Sequence, residues 1–434
     1  MRQQGQWRMA AGVALAMLAG ACAPTADITG SITPAASTPA PRAAAPGRSH
    51  PDMTPQALAR AEAGFSACIA ALEPVAAQRG VSSATFRSYA RTLTPDMSIM
   101  EKLDTQPEFT RATGDYVEML VAESRITKGR EMLARHAATF AAVEQAYGVD
   151  RHVVAAIWGI ETNYGAAAGR YAVIQATGTL ACVGRRQPYF REEFVAALQI
   201  VDRGDIPAEH LNGSWAGAFG LTQFMPTAFQ RDAVDFDGDG HRNVVDSIPD
   251  AMASTANKLR RGGWQAGRSW GYEVRLPRSF NYLLADKSIR KPLREWAALG
   301  VARPDARGFP RGDDLAYVLL PAGAKGPAFL MLDNFKAILS YNPADAYALA
   351  IGHLADRLRG GDAFVQAWPQ GEKPLSRTER IELQHLLAAR GYDVGTADGV
   401  LGGKTRVAIR DFQSRAGMLP DGQPSGEVLA RMRP

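Results

Sequence analysis

Glu161 stands in a setting that suits acid–base chemistry. Asp150 is placed to cap a helix running through His152, Val153, Ile157, Trp158 and Ile160 to Tyr164-Gly165. Glu161 follows Val153 and Ile157 by two turns and one turn, so its carboxyl projects from an apolar stripe and not from a solvated face. Desolvation and the negative end of the helix dipole disfavour the anion at such a position, which suits a general acid. Further on, Asn212 to Pro226 is dense in glycine and small residues, with Ser214 and Gln223 as its hydrogen-bonding side chains. Small residues, aromatics and two polar groups fit the wall of a sugar groove, and Tyr341-Asn342 repeats the pairing of an aromatic with an amide. A third stretch, Asp235 to Asp246, places oxygen ligands at loop positions one, three and five and Gly240 at six, the pattern of an EF-hand loop. Asp235, Asp237, Asp239, His241 and Asp246 are its candidate ligands for a structural calcium, with Asp246 where a bidentate Glu is usual and Asp250 nearby to compensate. The alternative is a metal-free Asp-Gly turn. No HExxH, GxSxG, P-loop or dinucleotide-binding fingerprint is present, which weakens zinc, acyl-transfer and nucleotide chemistry.

The chain that must position these groups has 434 residues, 46% hydrophobic and 21% charged. That composition excludes wholesale disorder and a multi-span membrane protein, and at about 150 residues per domain the length predicts two to three domains. The net charge of +5 is a slight excess, not a nucleic-acid-binding tail, and no nucleic acid is expected as a partner. The sequence does not name a protein partner.

Arg2 and Arg8 precede the uncharged run Met9 to Ala21, which predicts an export signal over residues 1–21. Leu18-Ala19-Gly20-Ala21-Cys22 resembles a bacterial lipobox, so Cys22 is the expected lipidation site; an ordinary secretory cut after Ala21 is the alternative. Residues 22–53, rich in Pro and Ala without apolar periodicity, read as a tether. Periplasmic location on an outer-membrane lipid anchor is the resulting expectation. Of three cysteines, Cys68 and Cys182 remain to pair with each other in an oxidising compartment, or to stay as buried thiols. Helical patterns over 54–360 form a body, 361–375 a linker, and 376–434 a small module.

In that module Ser376-Arg377-Thr378-Glu379 is a capping box opening the first of three helices. Gly391-Tyr392, Asp398-Gly399, Gly402, Thr405, Phe412-Gln413 and Asp421-Gly422 resemble the three-helix peptidoglycan-binding module of bacterial wall enzymes. In the body, Glu161-Thr162-Asn163-Tyr164-Gly165, Ala216 to Pro226, Val234 to His241 and Tyr341-Asn342 resemble, in order, the signatures of the membrane-bound lytic murein transglycosylase B family. The resemblance implies a mostly α fold with a goose-type lysozyme-like body. It implies cleavage of the β-1,4 bond between N-acetylmuramic acid and N-acetylglucosamine in peptidoglycan glycan strands, without water and with no cofactor required for the chemistry. It places Glu161 as acid then base, Ser214, Gln223, Tyr341 and Asn342 in the groove, and the basic pair Arg185-Arg186 toward substrate carboxylates. A lysozyme-like hydrolase using the same Glu161, or a non-catalytic wall-binding lipoprotein, are the competing readings.

Overall fold

The computed structural model describes residues 51–104, 111–371 and 373–433. The export signal, Cys22 and nearly all of the tether lie outside the described residues. No helix among the described residues is long and apolar enough to cross a membrane.

The body is built around one helix, Arg151–Thr162. Its residues from Val153 to Ile160 are all buried, so it is apolar all round and must sit at the centre of a helical cluster. Helices Glu123–Arg135, Ala137–Tyr147, Ile248–Arg261 and Asp345–Arg359 pack against it. Asp150 caps its start by accepting from the His152 amide at 2.8 Å, an interaction that contributes about 1 kcal/mol. Its end is abrupt. Asn163 and Tyr164 both take left-handed backbone (φ 50° and 60°), which folds the Tyr164 ring back onto the helix. A Cβ on Gly159 would lie 2.5 Å from that ring, so close approach requires glycine there.

Helices Val173–Cys182 and Gln187–Asp202 form an antiparallel pair against this centre. Cys182, at the end of the first, is joined by a disulfide to Cys68 in helix Phe65–Ala71, 114 residues away.

Residues 271–331 depart from the helical expectation. They hold a four-stranded antiparallel sheet ordered Gly271–Val274, Ala328–Met331, Leu315–Leu319, Lys291–Pro292. It carries its own apolar cluster around Leu293, Trp296, Val318 and Leu330. All four residues of Ala328–Met331 are buried, so the segment reads as a continuous apolar run with no period-two alternation to mark a strand.

The C-terminal module has three helices, Arg377–Ala389, Gly403–Arg415 and Gly426–Met432, around Leu383, Leu387, Ile409, Val428 and Met432. Its capping box is formed, with the Ser376 amide donating to Glu379 at 2.7 Å and the Glu379 amide to Ser376 at 3.2 Å. The module is docked on the body. The Arg410 guanidinium donates to the Ala285 carbonyl at 2.8 Å and to Asp286, while Asp421 accepts from the Ala324 amide at 2.9 Å. The segment expected as a linker is docked too: Glu273 accepts from the amides of Val365 and Gln366, Phe364 stacks on His353 at 3.7 Å, and Trp368 is buried against Gly114. Two large aromatics in so short a stretch supply the apolar area that a loose spacer lacks.

Candidate active site

The loop from Asn212 to Met225 is pinned to the end of the central helix. Thr162, next to Glu161, donates its hydroxyl to the Leu221 carbonyl at 2.6 Å. The hydroxyl of Tyr341 donates to the neighbouring Thr222 carbonyl at 2.6 Å. Gln223 follows with a left-handed backbone, φ 52°, sparsely populated for a residue with a side chain. Its amide nitrogen donates to the carbonyls of Ala168 and Gly220, both at 3.0 Å, so the amide oxygen is the end left for a ligand. Ser214 turns inward within the loop, its hydroxyl accepting from the Ala218 amide at 3.0 Å. These contacts bring Glu161, Gln223 and Tyr341 to one place, with Ser214 in the same loop. Asn342 uses its side-chain oxygen to accept from the Ala344 amide at 3.0 Å, at the start of helix Asp345–Arg359.

Glu161 itself is half-buried. Its Oε1 accepts a 2.5 Å hydrogen bond from the hydroxyl of Tyr347, a fully buried residue one turn into helix Asp345–Arg359. Burial, then the charge of Glu161, push the Tyr347 phenol well above its ordinary range, so it stays a donor. Lys258 is 8% exposed, and its ammonium sits 3.8 Å from the centre of the Tyr341 ring and 5.3 Å from that of Phe224. Burial holds its pKa down at about 8, against the pull of Asp232 and Glu161. Glu161 thus accepts from a buried phenol, and its charge acts on a buried ammonium.

Neither Tyr347 nor Lys258 stood out in the sequence. Tyr347 reads as a core aromatic among Ala348, Leu349 and Ile351. The signal for Lys258 was present: it lies in register with Ala251, Ser254 and Thr255 on the buried face of its helix, where an unpaired cation is out of place.

Other buried carboxylates near this centre are engaged. Asp232 pairs with Arg231 at 2.6 Å and Arg261 at 3.1 Å. Glu193 accepts from the Thr227 amide at 2.8 Å and hydroxyl at 2.7 Å. Arg185 donates to the Leu103 carbonyl, while exposed Arg186 lies over the ring of Tyr189 at 4.6 Å.

In the acidic loop, carboxylate oxygens of Asp235, Asp237 and Asp250 lie within 4.8 Å of one another. Asp239, His241 and Asp246 do not join them. Asp246 is held by His210 at 2.9 Å, and Asp239 accepts from the His241 amide at 2.8 Å. Asp250 instead closes the loop, accepting from the amides of Phe236 and Asn243, both at 2.7 Å. Converging carboxylates with oxygen-only donors suit a hard divalent cation.

Comparison with known proteins adds the following. The transglycosylase SLT domain family matches residues 64–356, and the peptidoglycan binding domain family matches residues 376–432. Membrane-bound lytic murein transglycosylase B of Escherichia coli (strain K12) is 33% identical over 217 residues, 48% of this chain and 57% of that protein. The match thus spans little more than half of that relative. SltB3 from Pseudomonas aeruginosa, solved in complex with NAG-NAM-pentapeptide and with NAG-anhNAM-pentapeptide, is 47% identical with a TM-score of 0.82 over 85% of this chain and 99% of that one. The E. coli lytic transglycosylase Slt35, solved in complex with calcium, is 25% identical with a TM-score of 0.58, covering 68% of this chain and 92% of that one.

Proposed function

The chain belongs to the transglycosylase SLT domain family, and on that premise we propose that it is a lytic transglycosylase cleaving the MurNAc–GlcNAc β-1,4 bond of peptidoglycan with 1,6-anhydromuramic products. The carrying observation is Glu161: one half-buried carboxyl, held on Oε1 by Tyr347, with the nearby carboxylates Asp232 and Glu193 already engaged. A two-carboxylate glycosidase needs a second acid free to act across the scissile bond, and among the described residues Asp232 and Glu193, the other buried carboxylates near Glu161, are taken up by protein partners. Protonated Glu161 gives its proton to the glycosidic oxygen as the bond to C1 breaks, and the substrate's N-acetyl group stabilises the cation that develops. The carboxylate then takes the proton of the C6 hydroxyl as that oxygen bonds to C1. Gln223 and Asn342 offer amide groups to the sugars, and Arg186 a guanidinium to substrate carboxylates. Ligands of the same class in the SltB3 complexes support this reading.

Asp235, Asp237 and Asp250 would hold a calcium ion whose contribution is structural, bracing the loop after Gln223, as the calcium complex of Slt35 suggests. The module at 376–434 would hold the enzyme on the wall, and a lipid on Cys22 would place it at the periplasmic face of the outer membrane; Cys22→Ser is then expected to move it to the soluble fraction. Mass analysis of digested peptidoglycan tests the activity: transglycosylation leaves ends one water lighter than the reducing ends left by hydrolysis.

A further inference from the structure

The ring of Tyr341 is partly buried and held from several sides. Its hydroxyl is spent on the Thr222 carbonyl, its edge meets Phe224 at 6.0 Å between ring centres, and the ammonium of Lys258 rests on it. Lys258 has no hydrogen-bond acceptor among the described residues, although it is almost wholly buried. Keeping an ammonium there is costly unless a negative charge faces it.

Of the negative charges around it, Asp232 pulls most strongly on the ammonium and Glu161 next, and Asp232 is itself held by Arg231 and Arg261. From helix Pro226–Asp232 come Arg231 and Asp232, which pair with each other; from Gln187–Asp202 comes Glu193, bound to Thr227. Tyr147, on helix Ala137–Tyr147, faces Arg260 at 5.0 Å. On Asp333–Leu339, Asp333 pairs with Arg290 and Lys336. The central helix brings Glu161.

We propose that Lys258 is a positioning residue of the reaction, its ammonium held on the Tyr341 ring so as to stabilise the Glu161 carboxylate while that group removes the C6 hydroxyl proton. The proposal rests on the transglycosylase reading above. In the first half-step Glu161 loses its proton to the leaving oxygen, which takes the electron pair of the broken bond. In the second it regains a proton from the C6 hydroxyl as the C6 oxygen bonds to C1. Lys258 exchanges no proton with substrate; its charge favours the intermediate state between the two. Burial brings its own titration to about 8, so the charge is lost just above neutral pH.

The test uses the full chain and its Lys258→Met and Lys258→Arg variants, with kcat and KM for anhydro-product release followed from neutral to alkaline pH. The wild type is expected to lose kcat on an alkaline limb centred at about 8. The Met variant should lose kcat by at least about tenfold, with little change in KM and without that limb. The Arg variant should recover rate and hold it through the alkaline range, because guanidinium does not titrate there. A Met variant with wild-type kcat and limb overturns the proposal. Should the Met variant not fold, a wild type lacking the limb or an Arg variant retaining it overturns it equally. Glu161→Gln measured in parallel separates the two levels: an active Glu161→Gln defeats the transglycosylase reading, whereas an inactive one beside an unaffected Lys258→Met defeats this inference alone.

Discussion

The hydroxyl of Tyr347 donates to Oε1 of Glu161 at 2.5 Å, across 186 residues of sequence. Because Tyr347 is fully buried on a helix packed against the central one, this bond holds the carboxyl from the protein side. It stabilises the carboxylate more than the acid, so its weight falls on the state reached after proton donation.

Removing the hydroxyl alone should expose that weight. Tyr347→Phe keeps the packed ring, and a hydrogen bond to a charged group is worth about 1.5–3 kcal/mol. The rate of anhydro-product release is expected to fall about ten- to a hundredfold with the thermal midpoint nearly unchanged. An unaltered rate would show that Glu161 is positioned without Tyr347.

His353 lies two turns further along the same helix, stacked on Phe364, and burial, aided by Arg357, lowers its pKa from 6.5 to about 4. The folded pKa is depressed, so as pH falls from about 6.5 to about 4 the unfolded chain takes a proton that the folded one refuses. Stability should drop across that window by up to roughly 3 kcal/mol. Thermal melts over the range will show it, and His353→Leu should flatten the slope; an unchanged slope would assign it to other groups.

The Cys68–Cys182 disulfide closes a segment with a separation of 114 residues. In the chain-entropy model such a loop is worth about 4–5 kcal/mol. Denaturant titration of Cys68→Ala/Cys182→Ala should show a loss of this order, seen as an earlier midpoint. A loss below about 1 kcal/mol would mean that the denatured chain is already compact.

Calcium should raise the thermal midpoint and a chelator lower it, by mass action on the folded state. Asp237→Ala should abolish the shift, while Asp246→Ala should leave most of it, since Asp246 is held by His210 and Asp250 closes the loop. Equal losses from both would place Asp246 among the ligands.

Much of this site was legible in the sequence because its parts are local. The Asp150 cap, the apolar stripe ending in Glu161, and the glycine-dense loop with Gln223 are each read from neighbours in the chain. Tyr347 was hidden for a different reason: its role arises where helices from distant parts of the chain meet, and a tyrosine is not unusual on a helix, whereas Lys258 carried a signal as a cation in the buried register of its own helix. Asp246 looked like the closing ligand from spacing alone, but a histidine 36 residues earlier holds it. The sheet at 271–331 escaped because its central strand is buried on both faces and carries no alternation.

The central claim is that one carboxyl serves as acid and then base. Peptidoglycan digested by the wild type should yield anhydro-ended muropeptides by mass, and Glu161→Gln should bind the wall yet release none. Reducing muramic ends from the wild type, or undiminished anhydro products from Glu161→Gln, would contradict it.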